Sequence, residues 1–473
     1  MSPTSCLIAL FCGGGLLLAP ADAFSECTVE HERGGARPEL SGPEQLITTS
    51  DGRFLIHWTA EGVDAPSNQE DSDGNGIPDF ADRVLAGLLL GDTEFPAAGY
   101  RSVPPDDGQG GGPELDVYIV DLPANGYANQ VEAEEGSDAA SSCSIRLDGG
   151  LGGGLEGILE SVALHEFHHC TQYAYTRFAP SWLLESSATY EQYRLYSSPA
   201  LQAALEILWI GRLREPERPL ESTGGRYEYA GFVFEFFWRS FNGPDSARLP
   251  ALWEALRAAE GNWTEALDGE SLRLWGQPFS RTFLDYATWN AFACGRDDGG
   301  HYEATMFPCE LDTSVPVLAI EEGDVSLVFE DAPFTASYVA LEADGDVRPV
   351  QWRCDGPGGT GARARLRLLA LDEFGRVLEQ RDVSARDDAP YELRLDQPQA
   401  AGGSTLAVLT SAGAVPASFD CSVERVSIAV APPPPSGDGC SSSLSGAGVI
   451  WVFALGLFAP KRRRRRESPG AVE

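Results

Sequence analysis

Hydrophobic and polar positions divide the chain into three textures. From residue 44 to about 312, apolar residues recur mostly at helical spacing, with a few strand-like runs between. From 313 to 430, short apolar runs alternate with Gly, Asp and Pro turns. Beyond 431 come prolines, an apolar run and a block of arginines.

The first texture predicts specific elements. Gln45–Ala60 alternates, with Phe54, Ile56 and Trp58 on one side and Leu55, His57 and Thr59 on the other, which predicts a strand holding a packed His57. A helix is expected over Phe80–Leu90 and a strand over Leu115–Asp121. Gly108–Gly112 is a turn too irregular for a phosphate loop, and Gly149–Gly154 gives slack or a close backbone approach before the next helix. Ile158, Val162 and Leu164, with small or apolar residues after them, predict a buried helix from Leu155 to about Arg177. Pro180 and Ser181 signal the start of another. Phe232–Trp238 is apolar nearly all round, hence a buried helix, and Leu249–Ala259 and Phe279–Phe292 are two more.

In the second texture, six runs predict an antiparallel β-sandwich over 313–430: Val325–Phe329, Ala336–Leu341, Ala364–Leu371, Tyr391–Leu395, Ser404–Leu409 and Ser422–Ala429. The fold class is α+β.

At 473 residues there is room for two or three domains. Acidic residues outnumber basic ones by 71 to 34, for a net charge of −37. That charge excludes nucleic acid and anionic membrane surfaces as partners, and suits a secreted protein and divalent cations. Lys461 is the single lysine, which carries no functional conclusion.

Residues 1–23 read as a secretory signal peptide, with an apolar Leu7–Leu18 and an Ala21-Asp22-Ala23 cleavage site. Residues 24–43 form an N-terminal segment. Export leads to an oxidising compartment. Of ten cysteines, Cys6 and Cys12 leave with the leader and eight remain. Cys294 with Cys309 would close a local loop, and Cys354 with Cys421 would staple the sandwich. Cys27, Cys143 and Cys170 leave one thiol over, and their pairing stays open. Residues 431–439 are a stiff Pro-rich linker and 440–473 a tail. Its apolar run, Leu444–Pro460, has 17 residues, short of the ~20 that span a bilayer. The arginines after it would hold that end on the cytoplasmic side.

The chemistry concentrates in His165-Glu166-Phe167-His168-His169, which holds three of only six histidines. Histidines four apart on a helix lie one above the other, so His165 and His169 can meet one metal ion. Glu166 points about 100° round the helix, placed to act as general base on solvent at that ion. This is the HExxH arrangement of a zinc hydrolase. His168 faces away from the pair and is expected to pack. A catalytic zinc takes a third protein ligand. Glu185, 16 residues past His169, falls in the first turn of the helix after Pro180. Folded back antiparallel, that helix brings Glu185 to the metal. Glu191 faces another side and is expected to be structural. At the start of the Phe232 helix, Tyr229, with Tyr227 as its rival, could hydrogen-bond a developing oxyanion.

An Asp-rich loop spans 71–82. Asp71, Asp73, Asn75, the Ile77 carbonyl, Asp79 and Asp82 stand at the alternate positions of a calcium loop, with Gly76 at its sharp turn. Pro78 and the short Asp82 depart from an EF-hand and look more like thrombospondin-type and dockerin-type loops.

HExxH followed by Trp182-x-x-Glu185-x-x-Ala188 resembles the gluzincin metallopeptidases. With Asp71–Asp79, Asp116-Val117-Tyr118 and the two helices, residues 44–295 are similar to a group of secreted zinc metalloproteases described from myxobacteria and their relatives. The resemblance implies a zincin-like catalytic domain over 44–312, with a small mixed sheet plus helices, and zinc on His165, His169 and Glu185. It also implies that a strand upstream of the motif, Leu115–Asp121, edges the cleft and pairs with a protein or peptide substrate. Ser186 stands where these motifs often have Gly. The tail resembles myxobacterial C-terminal sorting signals, which implies attachment at the cell envelope, with an ordinary transmembrane anchor as the alternative. The expected function is therefore a secreted, surface-directed zinc metalloendopeptidase. The reading from another class is an inactive, calcium-stabilised adhesion or binding protein on the same scaffold.

Overall fold

The computed structural model describes residues 37–425 except 106–107, 109, 131–139, 154–157, 197, 199–207, 225, 294–299, 303–314, 321–322, 330–332, 343–347, 355–363, 385–390, 396–402 and 412–416. By its internal contacts the chain parts into 1–428 and 429–473. The second part lies outside the described residues, as do the expected leader and the cysteines at 27, 294, 309 and 440. Among the described residues no helix is long and apolar enough to cross a membrane.

Five strands form a mixed sheet: β1 (Glu44–Thr48), β2 (Phe54–Thr59), β3 (Leu115–Val120), β4 (Gly126–Gln130) and β5 (Cys143–Asp148), in the order β1-β2-β3-β5-β4. The alternation over 45–60 is thus a hairpin and not one strand. The chain turns at Asp51 and Gly52, with Gly52 at φ 69°, a conformation that costs a residue without Cβ little. β2, β3 and β5 run parallel, and β4 returns antiparallel along β5. β3 therefore has partners on both sides, and the expectation that it edges a cleft is corrected: β4 is the outermost described strand on that side.

Both faces of β3 are covered, which explains its nearly continuous apolar run. Leu115, Val117 and Ile119 enter the main core. On the other face His57 bonds Glu44 at 2.8 Å and Asp116 at 3.0 Å and stacks on Tyr118 at 4.3 Å. It is a packed strand histidine with both ring nitrogens engaged.

The helices are α1 (Asp79–Ala98), α2 (Ile158–Tyr173), α3 (Ser181–Leu195), α4 (208–214), α5 (Tyr227–Ala230), α6 (Phe232–Ser240), α7 (Arg248–Ala258), α8 (Trp263–Trp275) and α9 (Phe279–Ala291). α1 runs past Leu90 because Leu88, Gly91 and Phe95 continue its buried face. α8 has no counterpart among the expected helices, since Asp268, Gly269 and Glu270 dilute its apolar pattern. α2 is buried almost throughout, against α1, α3, β4 and β5. Its approach to α1 is close. A Cβ on Gly87 would stand 2.2 Å from the Glu160 carbonyl oxygen, and one on Gly91 2.7 Å from Phe167.

The remaining strands are β6 (Leu318–Ile320), β7 (Gly323–Phe329), β8 (Thr335–Glu342), β9 (Val350–Cys354), β10 (Ala364–Leu371), β11 (Val377–Ser384), β12 (Tyr391–Leu395), β13 (Ser404–Ser411) and β14 (Ala417–Arg425). They form two sheets, β11-β10-β13-β8-β6 and β12-β9-β14-β7. Val339, Leu366 and Leu409 of one share a core with Trp352, Leu395 and Val423 of the other, a face-to-face packing. The pairing is antiparallel except that β6 runs parallel to β8. The last expected run starts earlier, as β14. Cys354 and Cys421 face each other on β9 and β14 and form a disulfide.

β10 and β13 are buried on both faces. Their second face adds Leu369, Leu406 and Val408 to the helical core. Arg367 of β10 crosses this junction. It is 3 % exposed and donates to Asp285 and Thr288 of α9 and to Asp382 of β11. The described residues of the helical part and of the two-sheet part therefore pack through one shared core.

Candidate metal centre

α2 and α3 lie side by side, joined by a short turn in which Pro180 precedes the first residue of α3. Helix spacing puts His165 and His169 on one face of α2, with ring centroids 4.8 Å apart. The first turns of α3 deliver Glu185 to them. Its Oε2 lies 3.2 Å from His165 Nε2 and 3.6 Å from His169 Nε2. Among the described residues, these three form the one group of His, Cys, Asp or Glu whose ligand atoms gather within 4.8 Å. All three are buried.

The donor set fits a cation. Gln172 Nε2 donates to the Leu184 carbonyl at 2.9 Å, which orients its amide so that Oε1 accepts from His169 Nδ1 at 2.8 Å. With Nδ1 protonated, a neutral imidazole keeps a lone pair on Nε2. That lone pair faces a carboxylate oxygen. Two imidazole nitrogens and a carboxylate oxygen gathered in this way are a donor set that a divalent cation such as zinc fits. Sequence reading missed Gln172. Its signal is a Gln three residues past His169, on the same face of α2.

Glu166 points to the other side of this group, toward β4. A Cβ on Gly126 would meet Glu166 Cγ at 2.9 Å and Oε1 at 3.0 Å, so that strand residue has no room for a side chain. The Ala128 backbone N–H donates to the carboxylate. Burial pushes the Glu166 carboxyl up to about 8, with His169 pulling it down and Glu185 pushing it further up. Gly126 and Ala128 also escaped the sequence reading, because β4 is short and lacks β-branched residues.

Tyr229 is the tyrosine the fold brings to the site. Its ring lies 6.0 Å from that of His165 and its hydroxyl bonds Glu185, while burial holds its pKa well above the ordinary value. Tyr227 is directed elsewhere, donating to the Glu215 carbonyl at 3.0 Å. Glu191 stays away from the metal group, accepting from Tyr100 at 3.0 Å and Arg194 at 2.7 Å. His168 packs between Phe95 and Tyr100, with Nε2 3.2 Å from Ser187 Oγ. Burial, with His169 and His165 nearby, drives its pKa well down, so it is a neutral core residue.

Two supports hold the ligand helices. Cys170, next to His169, is bonded to Cys143 of β5, which ties α2 to the sheet. Ser186, next to Glu185, donates to Glu235 of α6 at 2.6 Å. Burial pushes the Glu235 carboxyl up to about 8, against the Ser186 hydrogen bond, which favours the ionised form. The folded protein then retains a proton that the unfolded chain releases above its ordinary carboxyl pKa. Stability from this group is complete below that pKa and is lost as pH rises toward 8. Glu235→Gln is expected to flatten the fall in unfolding free energy between pH 5 and pH 8. Urea titrations across that range measure it, and an unchanged slope counts against the assignment.

In the Asp71–Asp82 stretch residues 71–76 are exposed, and Asp79 and Asp82 stand in the first turn of α1. Its carboxylates bond within the loop: Asp71 accepts from the Gly74, Asn75 and Gly76 N–H groups, and Asp79 accepts from Ser72. Asn75 reaches both Asp73 and Asp82 at 3.1 Å, and its side-chain oxygen accepts from Ile77 N–H. Among the described residues, these acids do not form a group of converging metal ligands like that of His165.

No known protein-family model matches the chain, and no curated protein matches it in sequence. Solved structures with local likeness include the pre-peptidase C-terminal domain of a Bacillus anthracis collagenase, 6 % identical over 23 % of this chain and 95 % of that one, with a TM-score of 0.17. Another is the Yersinia pseudotuberculosis-derived mitogen, 10 % identical over 22 % and 87 % of the two chains, with a TM-score of 0.18. At these TM-scores the likenesses carry no functional meaning.

Proposed function

We propose that this chain is an exported zinc metalloendopeptidase, with a zincin-like catalytic domain over 44–312. The observation that carries the reading is the convergence of His165, His169 and Glu185, with Glu166 beside them. When bound, zinc supplies a positive charge that polarises a scissile carbonyl and acidifies nearby water. The protein's residues do the rest. His165, His169 and Glu185 hold the ion, and Gln172 orients His169. Glu166, screened from bulk solvent against β4, takes the proton of the attacking water and returns it to the leaving amine. Tyr229 is placed to donate to the carbonyl oxygen as charge develops there. In the sheet order no described strand lies beyond β4, so an extended peptide can run along that side near Glu166, the Ala128 main chain itself being held by Glu166 and Tyr173.

Export, with attachment at the cell envelope through residues 440–473, belongs to the same reading, and the Cys143–Cys170 and Cys354–Cys421 bonds agree with an oxidising compartment. Purified protein is expected to contain one zinc per chain by elemental analysis and to hydrolyse a casein substrate. Glu185→Ala is expected to lose both. A metal-free wild type, or hydrolysis that survives chelation, would overturn the proposal. Zinc without hydrolysis would instead favour the calcium-stabilised binding protein.

The loop of Asp71, Asp73, Asn75, Ile77, Asp79 and Asp82 is proposed to hold a structural Ca²⁺. The support is its alternating oxygen-bearing residues, with Gly74 and Gly76 at φ 72° and 87° to wrap the chain. Millimolar calcium should raise the thermal midpoint of the wild type and not of Asp73→Ala. Equal shifts in the two would remove the assignment.

A further inference from the structure

A second cluster of ionisable side chains, separate from the metal centre, sits on the sheet face turned away from the main core. His57 of β2 is 3 % exposed and stands between two carboxylates. Its Nδ1 lies 2.8 Å from Glu44 Oε1 of β1 and its Nε2 3.0 Å from Asp116 Oδ1 of β3. Asp116 also pairs with Arg37, in the segment that leads into β1. The Arg37 guanidinium lies 5.9 Å from the centre of the Tyr118 ring, on which His57 stacks. Among the described residues, the charged and titratable groups around His57 are therefore Glu44 from β1, Asp116 and Tyr118 from β3, and Arg37 through Asp116.

A neutral imidazole has one N–H and one lone pair. It can donate to one of these carboxylates, and its lone pair then faces the other. Asp116 is held by a guanidinium and the Glu44 side chain is half-exposed, so neither is placed to supply the missing hydrogen. The arrangement is complete only when both ring nitrogens carry hydrogen. Arg37 and His57 then balance Glu44 and Asp116, charge for charge. The His57 pKa moves in the matching direction. Burial works against the charged ring, but the hydrogen bonds to Asp116 and Glu44 outweigh it and lift the value above the ordinary 6.5. β1 is the strand with most to lose. It is the outer strand of its sheet, and four of its five residues are exposed. Among the described residues, Glu44 on His57 is the side-chain hydrogen bond that ties it to its neighbours.

We propose that doubly protonated His57 is a pH-sensitive latch, which holds the outer strand β1 to the sheet and loosens it when one ring hydrogen leaves. Asp116, buried beside Arg37, keeps the remaining N–H, and half-exposed Glu44 turns to solvent. The sign follows from the proton. The closed strand binds it more tightly than the loosened one, so the latch is fully closed below the ordinary imidazole value of 6.5 and opens as pH rises through the raised one.

The test uses the full chain. With nitrogen-15 in the histidine rings, the His57 signals, identified by their loss in His57→Gln, should show hydrogen on both nitrogens and lose one with a midpoint above 6.5. Hydrogen exchange of the β1 amides, corrected for its intrinsic pH dependence, should stay level up to that value and then quicken several-fold, while the β5 amides do not change. His57→Gln should remove the step. Glu44→Gln, at a half-exposed side chain, takes away one of the two charges and should move both the ring titration and the step to lower pH, which keeps the test open where His57→Gln fails to fold. A ring midpoint at or below 6.5, or a β1 step that Glu44→Gln leaves in place, would overturn the proposal and make His57 a packing residue only.

Discussion

Glu166→Gln is expected to reduce peptide hydrolysis by a factor of about 10²–10⁴ while leaving zinc content unchanged. The substitution keeps the volume of a buried side chain and removes only its capacity to take a proton. Glu166 is not among the converging ligand atoms, so the ion should stay. Its position explains the size of the effect. Burial lifts its carboxyl to about 8, and a cation on His165, His169 and Glu185 would draw it back toward neutrality, where a general base works best. The loss should appear in kcat with KM little changed, since Glu166 acts on the moving proton and not on the resting substrate. Retention of more than about a tenth of the activity would remove Glu166 from the base role. Loss of zinc in the same variant would make it a holding residue instead.

The second large effect concerns stability. Arg367→Ala is expected to cost about 3 kcal/mol, at the lower end for breaking a buried ion pair on one side. Arg367 Nη2 lies 2.6 Å from Asp285 and its Nε 2.8 Å from Asp382, and all these groups are largely buried. Removing the guanidinium strands two carboxylates. Arg281, which also pairs with Asp382, and Gln277, at 2.7 Å from Asp285, limit the damage. Exchanging Arg367, Asp285 and Asp382 together for leucines should recover most of the loss, because the one charge then left without its partner, Arg281, is part-exposed. Urea unfolding with unchanged denaturant slope measures both variants. A loss below about 1 kcal/mol for Arg367→Ala would mean that water replaces the guanidinium at the junction.

The calcium loop and the metal centre differ in how far the sequence carried them. The loop was read entirely from spacing, and its acids spend their oxygens on local N–H groups. The metal pair was also read from spacing, and the fold brought a distant carboxylate to it. The strands show the same division. Tyr391–Leu395 and Ala364–Leu371 matched their apolar runs to the residue. A single strand over 45–60 overlooks the hairpin at Asp51 and Gly52, although Thr48–Arg53 holds no apolar residue to carry the alternation across. β4 and α8 were missed for want of a strong period.

What the sequence determined by itself is what depends on neighbours in the chain. The stacking of His165 over His169 and the turn of Glu166 by about 100° from them follow from 3.6 residues per turn, whatever surrounds the helix. The start of α3 at Ser181 follows from Pro180, and the core faces of the helices from their apolar periods. Only the tertiary structure decided the rest. It placed Glu185 within 3.6 Å of both imidazoles, chose Cys143 as the partner of Cys170 and put β4 outside β5. Each of these is a distance between segments far apart in sequence, set by how whole layers pack, and a local residue pattern contains no measure of it.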